Sequence, residues 1–233
     1  MYSFKSEGHQ HLWNGKRMTG VTTILGIISK PALLGWAVGL CADYARSQIR
    51  ANKAYSKDDL DGIFEEAKKA HTKKKEQAAD IGTLVHSACE KFIKEGKEPE
   101  LDEQGLKMFE NFKKWVSDNN VKFLESEKCL YSEDLFLAGI VDAVIEIDGQ
   151  KWIMDIKTSN GIYAEAFFQM GGYEILMEKM GIAGDITGYI VINLRKDGSF
   201  EEKRSISNED NKQAFMSAYN IYKIQQKINS LIK

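Results

Sequence analysis

Near residue 120 the spacing of apolar side chains changes from helical to alternating, and that switch restricts the folds open to the chain. Before it, Leu33, Ala37, Leu40, Cys41, Tyr44 and Ile49 recur at helical intervals, which predicts an amphipathic helix over 32–51. A strongly charged helix is expected over 58–77, a third over 81–94 stopping at Gly96, and a fourth over 102–119. After it, Val121, Phe123, Cys129 and Tyr131 alternate with polar residues, and 135–147 is rich in β-branched side chains. Asp148-Gly149 is a two-residue hairpin signal, with 151–157 as the return strand. A helix over 163–180, a strand over 186–194, a short strand ending near Ser205 and a last helix from Ser207 to about Leu231 complete the pattern. Residues 1–20 read as short strands, with Thr22-Thr23 opening a short helix before Pro31. This order implies an α/β fold: a mixed central β-sheet flanked by helices, with a helical N-terminal elaboration. The expectation is one domain over 1–233, with the elaboration in 1–77, the core in 78–205 and a C-terminal helix in 206–233.

Composition narrows the class further. Of 233 residues, 43% are apolar and 28% charged, enough for a sizeable core and unlike disordered or fibrous sequences. The 32 basic and 34 acidic residues leave a net charge of −2, so bulk charge does not attract a polyanion. Any nucleic-acid contact must come from a local positive patch or a bound cation. The lysines at 68, 69, 73, 74 and 75 are either a solvated helix face or a backbone contact of that kind. Three scattered cysteines (Cys41, Cys89, Cys129) make neither a disulfide framework nor a paired-cysteine metal site, which fits a reducing compartment. The first seven residues lack the apolar region of a signal peptide, and the run from Pro31 to Ala42 is too short for a bilayer. A cytoplasmic protein without membrane contact is expected.

The hairpin carries the chemistry. Counting outward from Asp148-Gly149, Ile147 faces Gln150, Val144 faces Ile153, and Asp142 faces Asp155. Directly opposed Cβ atoms lie about 4.5–5.5 Å apart, so two like charges would meet among apolar neighbours. Lys157 follows on the same face by the strand period. A divalent cation, which favours carboxylate oxygens, would reconcile the pair; a solvated or frayed strand end would also relieve it.

Four motifs then fall in order: Gly82-Thr83-Leu84-Val85-His86 on a helix, Gly139-Ile140-Val141-Asp142 on a strand, Asp155-Ile156-Lys157 on the next, and Gln169-Met170-Gly171-Gly172-Tyr173 on a helix. Together they resemble the PD-(D/E)XK nuclease superfamily, and within it the RecB-like and phage-type exonuclease branch. The segment Gly20-Val21-Thr22-Thr23-Ile24-Leu25 resembles the N-terminal segment of phage members. The resemblance spans about residues 20–195 and implies a restriction-endonuclease-like αβββαβ core.

The resemblance further implies a metal-dependent deoxyribonuclease, in most cases an exonuclease, that leaves 5′-phosphates in phage-type DNA recombination, replication or processing. An endonuclease on the same core and a non-catalytic nucleic-acid-binding module are the alternatives. It implies one or two Mg²⁺ or Mn²⁺ ions held by His86, Asp142, Asp155 and the Ile156 carbonyl, with Lys157 positioning water or stabilising charge on the phosphate. Glu90, one helical turn beyond His86, is either a partner that orients it, a ligand or an exposed carboxylate, and Glu127 edges the site. Gln169 and Tyr173 share one helix face and would contact substrate or support the lysine. Thr22 and Thr23 either bind phosphate or cap their helix. No iron–sulfur cluster is expected from three cysteines. The implied partner is DNA, single- or double-stranded, at its ends; a homo-oligomer or a recombination partner protein stays open.

Overall fold

The computed structural model describes residues 1–232, and the side chains of 77–79 lie outside that description. The chain divides into two compact units, one of residues 1–28 with 84–233 and one of residues 29–83.

The smaller unit holds α2 (Pro31–Gln48) and most of α3 (Lys57–Glu95). The sequence predicts two helices here, over 58–77 and 81–94, where the structure has one. Nothing at Ala78-Ala79-Asp80 stops a helix, and alanine is the best helix former, so the helix continues. Its lysine cluster is largely neutralised on its own surface: Lys68 pairs with Glu65 at 2.6 Å, Lys69 with Glu66 at 3.0 Å and Lys73 with Glu66 at 2.6 Å. All these groups are exposed, so each pair contributes little.

In the larger unit, β1 (Tyr2–Lys5), β2 (Gln10–Trp13) and β3 (Lys16–Arg17) form an antiparallel meander. Then come β4 (Thr19–Gly20), α1 (Val21–Leu25), α4 (Glu103–Asp118), β5 (Lys122–Ser132), β6 (Leu137–Ile147), β7 (Gln150–Lys157), α5 (Ala164–Lys179), β8 (Ile186–Leu194), β9 (Phe200–Ser205) and α6 (Asn208–Leu231). Asp102 caps α4 by accepting from the Gly105 N–H at 2.7 Å.

Among the described residues the main sheet runs β4-β6-β7-β8-β9, with β5 on the other edge of β6. It is mixed: β7 and β8 are parallel, joined by the α5 crossover, while β5-β6, β6-β7 and β8-β9 are antiparallel. One face packs on α1, α5 and α6 through Val21, Ile24, Val144, Ile153, Met170, Tyr189 and Phe215. On the other side, Phe92 meets Phe109 and Phe112 edge to face, and Phe112 meets Phe109 and Phe123 at a tilt, between α3, α4 and β5. The glycine pair in α5 is where α6 comes closest. A Cβ at Gly171 would lie 2.7 Å from the Asn211 carbonyl carbon, and one at Gly172 would lie 2.8 Å from the Phe215 ring. The α6 backbone at Asn211 and the Phe215 ring occupy that space.

The sheet's topology makes the opening that matters. Along one edge of β6, β7 pairs with Ala143–Ile147 and β4 pairs with Leu137 and Ala138. Residues 139–142 lie between those two partners, and Asp142 lies at the point where the strands part.

Candidate active site

The turn between β6 and β7 sets the register. Asp148 and Gly149 both have positive φ, 51° and 76°, as a two-residue primed turn requires. Opposed pairs run from Ile147 and Gln150 to Ala143 and Met154, and there the ladder ends. The expected Asp142–Asp155 pairing is not formed. Instead the Ile156 N–H donates to Asp142 Oδ2 at 2.8 Å. The ladder stops one pair short of the two aspartates, and Asp142 gains a neutral donor.

Asp155 is 1% exposed. Its Oδ1 accepts from Lys157 Nζ at 2.8 Å and from Gln169 Nε2 at 3.3 Å, while its Oδ2 is buried without a hydrogen-bond partner. Burial, with the charge of Asp142, pushes its pKa up to about 6 against the pull of Lys157. Burial also opposes the charge of Asp142, yet His86, Lys157 and the Ile156 N–H outweigh it and hold that carboxyl below its usual range. Lys157 shows the same contest: burial disfavours its charge, and Asp155 and Asp142 more than restore it.

Gln169 joins the parts. Its Oε1 accepts from Lys157 Nζ at 3.2 Å, and its Nε2 donates to the Tyr173 hydroxyl at 2.8 Å as well as to Asp155. The i, i+4 spacing on α5 delivers both side chains to one face. Tyr173 in turn packs on Gly139, where a Cβ would lie 2.7 Å from its ring. Gly139 is therefore the space the tyrosine ring needs.

On the opposite side, His86 Nε2 lies 3.4 Å from Glu127 Oε1 and 3.5 Å from Asp142 Oδ1. One ligand atom from each of these three residues lies within 4.8 Å of the others. Burial alone would lower the His86 pKa; the two carboxylates outweigh it and push it up to about 10. The imidazolium thus neutralises two acids at the place where a cation would sit. Glu127 reaches them from a kink: its φ is 49°, in the left-handed region that non-glycine residues rarely adopt, between Ser126 and Lys128, which pair with Ala143 and Val141.

The structure thus brings together His86, Asp142, Asp155, Ile156, Lys157, Gln169 and Tyr173. Glu90 lies elsewhere in its contacts, bonded to Lys94 Nζ at 2.6 Å. Glu127, expected to edge the site, is the carboxylate beside His86, brought there by the pairing of Ser126 and Lys128 with Ala143 and Val141. Thr22 and Thr23 lie exposed on the five-residue α1, whose first turn has no side-chain cap.

The donor set fits a hard divalent cation. His86, Glu127 and Asp142 offer two carboxylates and one imidazole within reach of one another; Asp155, outside that trio, adds a buried oxygen with no hydrogen-bond partner among the described residues. Exposure rises from 1% at the Asp155 side chain through 14% at Asp142 and 20% at Glu127 to 32% at His86, so the group faces solvent on one side.

No protein-family model matches the chain, and no curated protein matches it in sequence. Similar solved structures include SSO0001, at 14% identity and a TM-score of 0.30. That match covers 50% of this chain and 58% of SSO0001, so the chain spans little more than half the length of that neighbour. An alkaline exonuclease, LHK-Exo from Laribacter hongkongensis, matches at 11% identity and a TM-score of 0.27, over 66% of this chain and 92% of that one. LHK-Exo in complex with dAMP matches at 10% identity and a TM-score of 0.32, over 63% and 80%. Among the described residues no helix is long and apolar enough to cross a membrane.

Proposed function

We propose that this protein is a metal-dependent deoxyribonuclease of the PD-(D/E)XK kind, hydrolysing phosphodiester bonds at DNA ends. The observation that carries the reading is Asp155: a buried carboxylate bound on one oxygen by Lys157 and Gln169 and left without a partner on the other. Leaving that oxygen bare costs on the order of 1–3 kcal/mol, a cost that a bound cation would remove. The neighbouring His86, Glu127 and Asp142 supply the rest of a cation-binding set, with the Ile156 carbonyl added by the family resemblance. A bound Mg²⁺ or Mn²⁺ would supply charge neutralisation at the phosphate and a more acidic water.

The chain's own residues do the remaining work. Lys157 keeps its proton because Asp155 and Asp142 face it, so it acts as a fixed positive charge toward a phosphate oxygen or as a donor that orients the attacking water. Gln169 holds that ammonium group in place and fixes the Tyr173 hydroxyl beside it. Asp142, with its Oδ2 committed to the Ile156 N–H, presents Oδ1 toward His86. Net charge does not draw in the polyanion; the local cations do.

The test is digestion of end-labelled linear single- and double-stranded DNA and of closed circles, in Mg²⁺ and in EDTA. Mg²⁺-dependent loss of linear substrate is expected, with Lys157→Ala and Asp142→Asn inactive yet folded. Digestion in EDTA, or by purified Lys157→Ala, would overturn the assignment. Cleavage of closed circles at the linear rate would make the enzyme an endonuclease.

A further inference from the structure

Among the described residues, the last third of α6 projects an apolar row that its own unit leaves exposed. Up to Tyr219 the helix is anchored: Phe215, Ala218 and Tyr219 are buried, and the Tyr219 hydroxyl donates to the Leu135 carbonyl at 2.7 Å. Beyond it, Ile221, Ile224, Ile228 and Leu231 are 52%, 57%, 46% and 72% exposed, and Ile232 is 70% exposed. Their separations of three, four and three residues are those of the a and d positions of a heptad, which place side chains in one seam along a helix. A row meant for solvent would carry polar groups there, and a row meant for the chain's own core would follow the face of Phe215 and Tyr219.

We propose that this seam pairs with the same seam of a second copy of the chain, forming a two-fold symmetric helix–helix contact. Three features favour a second copy over a partner of other sequence. The first is the spacing, because a 3-4-3 apolar row fills the gaps of an identical row. The second is charge: between residues 220 and 232 the charged residues are Lys223 and Lys227, neither at an a or d position, and no acidic group is present. A basic partner would be repelled by the two lysines, an acidic one would find both outside the a and d positions, and a copy meets no like charges in the seam itself. The third is area. The five residues expose roughly 500 Å² per copy, at the upper end of what a monomer leaves bare, and two copies would bury about 1,000 Å², near the lower limit for a specific interface. An interface this small makes the pairing weak and dependent on concentration. It does not depend on the nuclease reading, because no residue of the seam belongs to that site.

Sedimentation and light scattering of the full chain across a concentration series test this. The wild type should move from 26.4 kDa toward twice that mass as concentration rises through the micromolar range. Ile224→Glu/Ile228→Glu should stay monomeric at every concentration, with an unchanged melting temperature and unchanged DNA digestion per chain. If that variant folds poorly, the milder Ile224→Gln/Ile228→Gln should weaken pairing at least tenfold. A wild type that remains monomeric at about 100 μM, above any micromolar dissociation constant, would overturn the proposal. So would a dimer that survives both variants.

Discussion

Asp155→Asn should make the metal-free protein more stable while abolishing its activity. Asn keeps the volume and keeps an Oδ1 acceptor for Lys157 Nζ and Gln169 Nε2, which stand at 2.8 and 3.3 Å. What it removes is a charge on a side chain that is 1% exposed, with one oxygen unpartnered. The rise in pKa from 3.8 to about 6 corresponds to roughly 3 kcal/mol, at 1.36 kcal/mol per pK unit, against the ionised form in the fold. Because the folded value is raised, the cost is absent below the unfolded pKa of 3.8 and fully present above about 6. Urea denaturation in EDTA should therefore show the variant more stable by about 1–3 kcal/mol near pH 7.5, the two proteins converging near pH 4. Mg²⁺ should stabilise the wild type by mass action and leave the variant nearly unmoved, narrowing or reversing the order. A variant less stable than wild type in EDTA at neutral pH, or a gap that does not change with pH, would refute the account of Asp155 as a strained buried charge awaiting a cation.

The two candidate glutamates separate by calorimetry: Glu127→Gln should weaken Mn²⁺ binding at least tenfold, whereas Glu90→Gln, which breaks only the contact with Lys94, should leave it within twofold. Gly139→Ala sets a Cβ 2.7 Å from the Tyr173 ring, so a loss of about 1–3 kcal/mol is expected, with a drop in kcat as the Tyr173–Gln169 bond shifts; thermal melting and steady-state kinetics read both. Gly171→Ala meets backbone rather than a movable side chain, at 2.7–2.8 Å from Asn211 and Lys212, and should cost more than Gly139→Ala in the same melt. Asn193 is fully buried and bridges the Ser159 N–H and C=O at 3.0 Å each, just past Lys157. Asn193→Ala should lower kcat more than it raises KM, by loosening the strand end that carries the lysine.

Local periodicity made part of this site legible. The two-residue turn needs left-handed backbone at both positions, and Asp-Gly provides it. The strand period puts Asp155 and Lys157 on one face, and the helix period does the same for Gln169 and Tyr173; those are the pairs found bonded. In each case both residues lie on one element, whose repeat is set by its own backbone dihedral angles.

Tertiary packing decided the relations between elements. The Asp142–Asp155 pairing expected from the register gave way to an Asp142–Ile156 bond, because β6 shares its edge between β7 and β4 and the ladder stops before the aspartates. Helical spacing favoured Glu90 as the companion of His86, but the side chain that arrives is Glu127, from a strand kinked into a conformation that no local signal announces. The glycine pair in α5 lies where α6 comes closest, a contact that the helix period by itself does not specify. The chain's own pattern sets what each segment is and which way its side chains point. Distances between segments depend on twist, splay and packing, which a period of two or 3.6 residues does not encode.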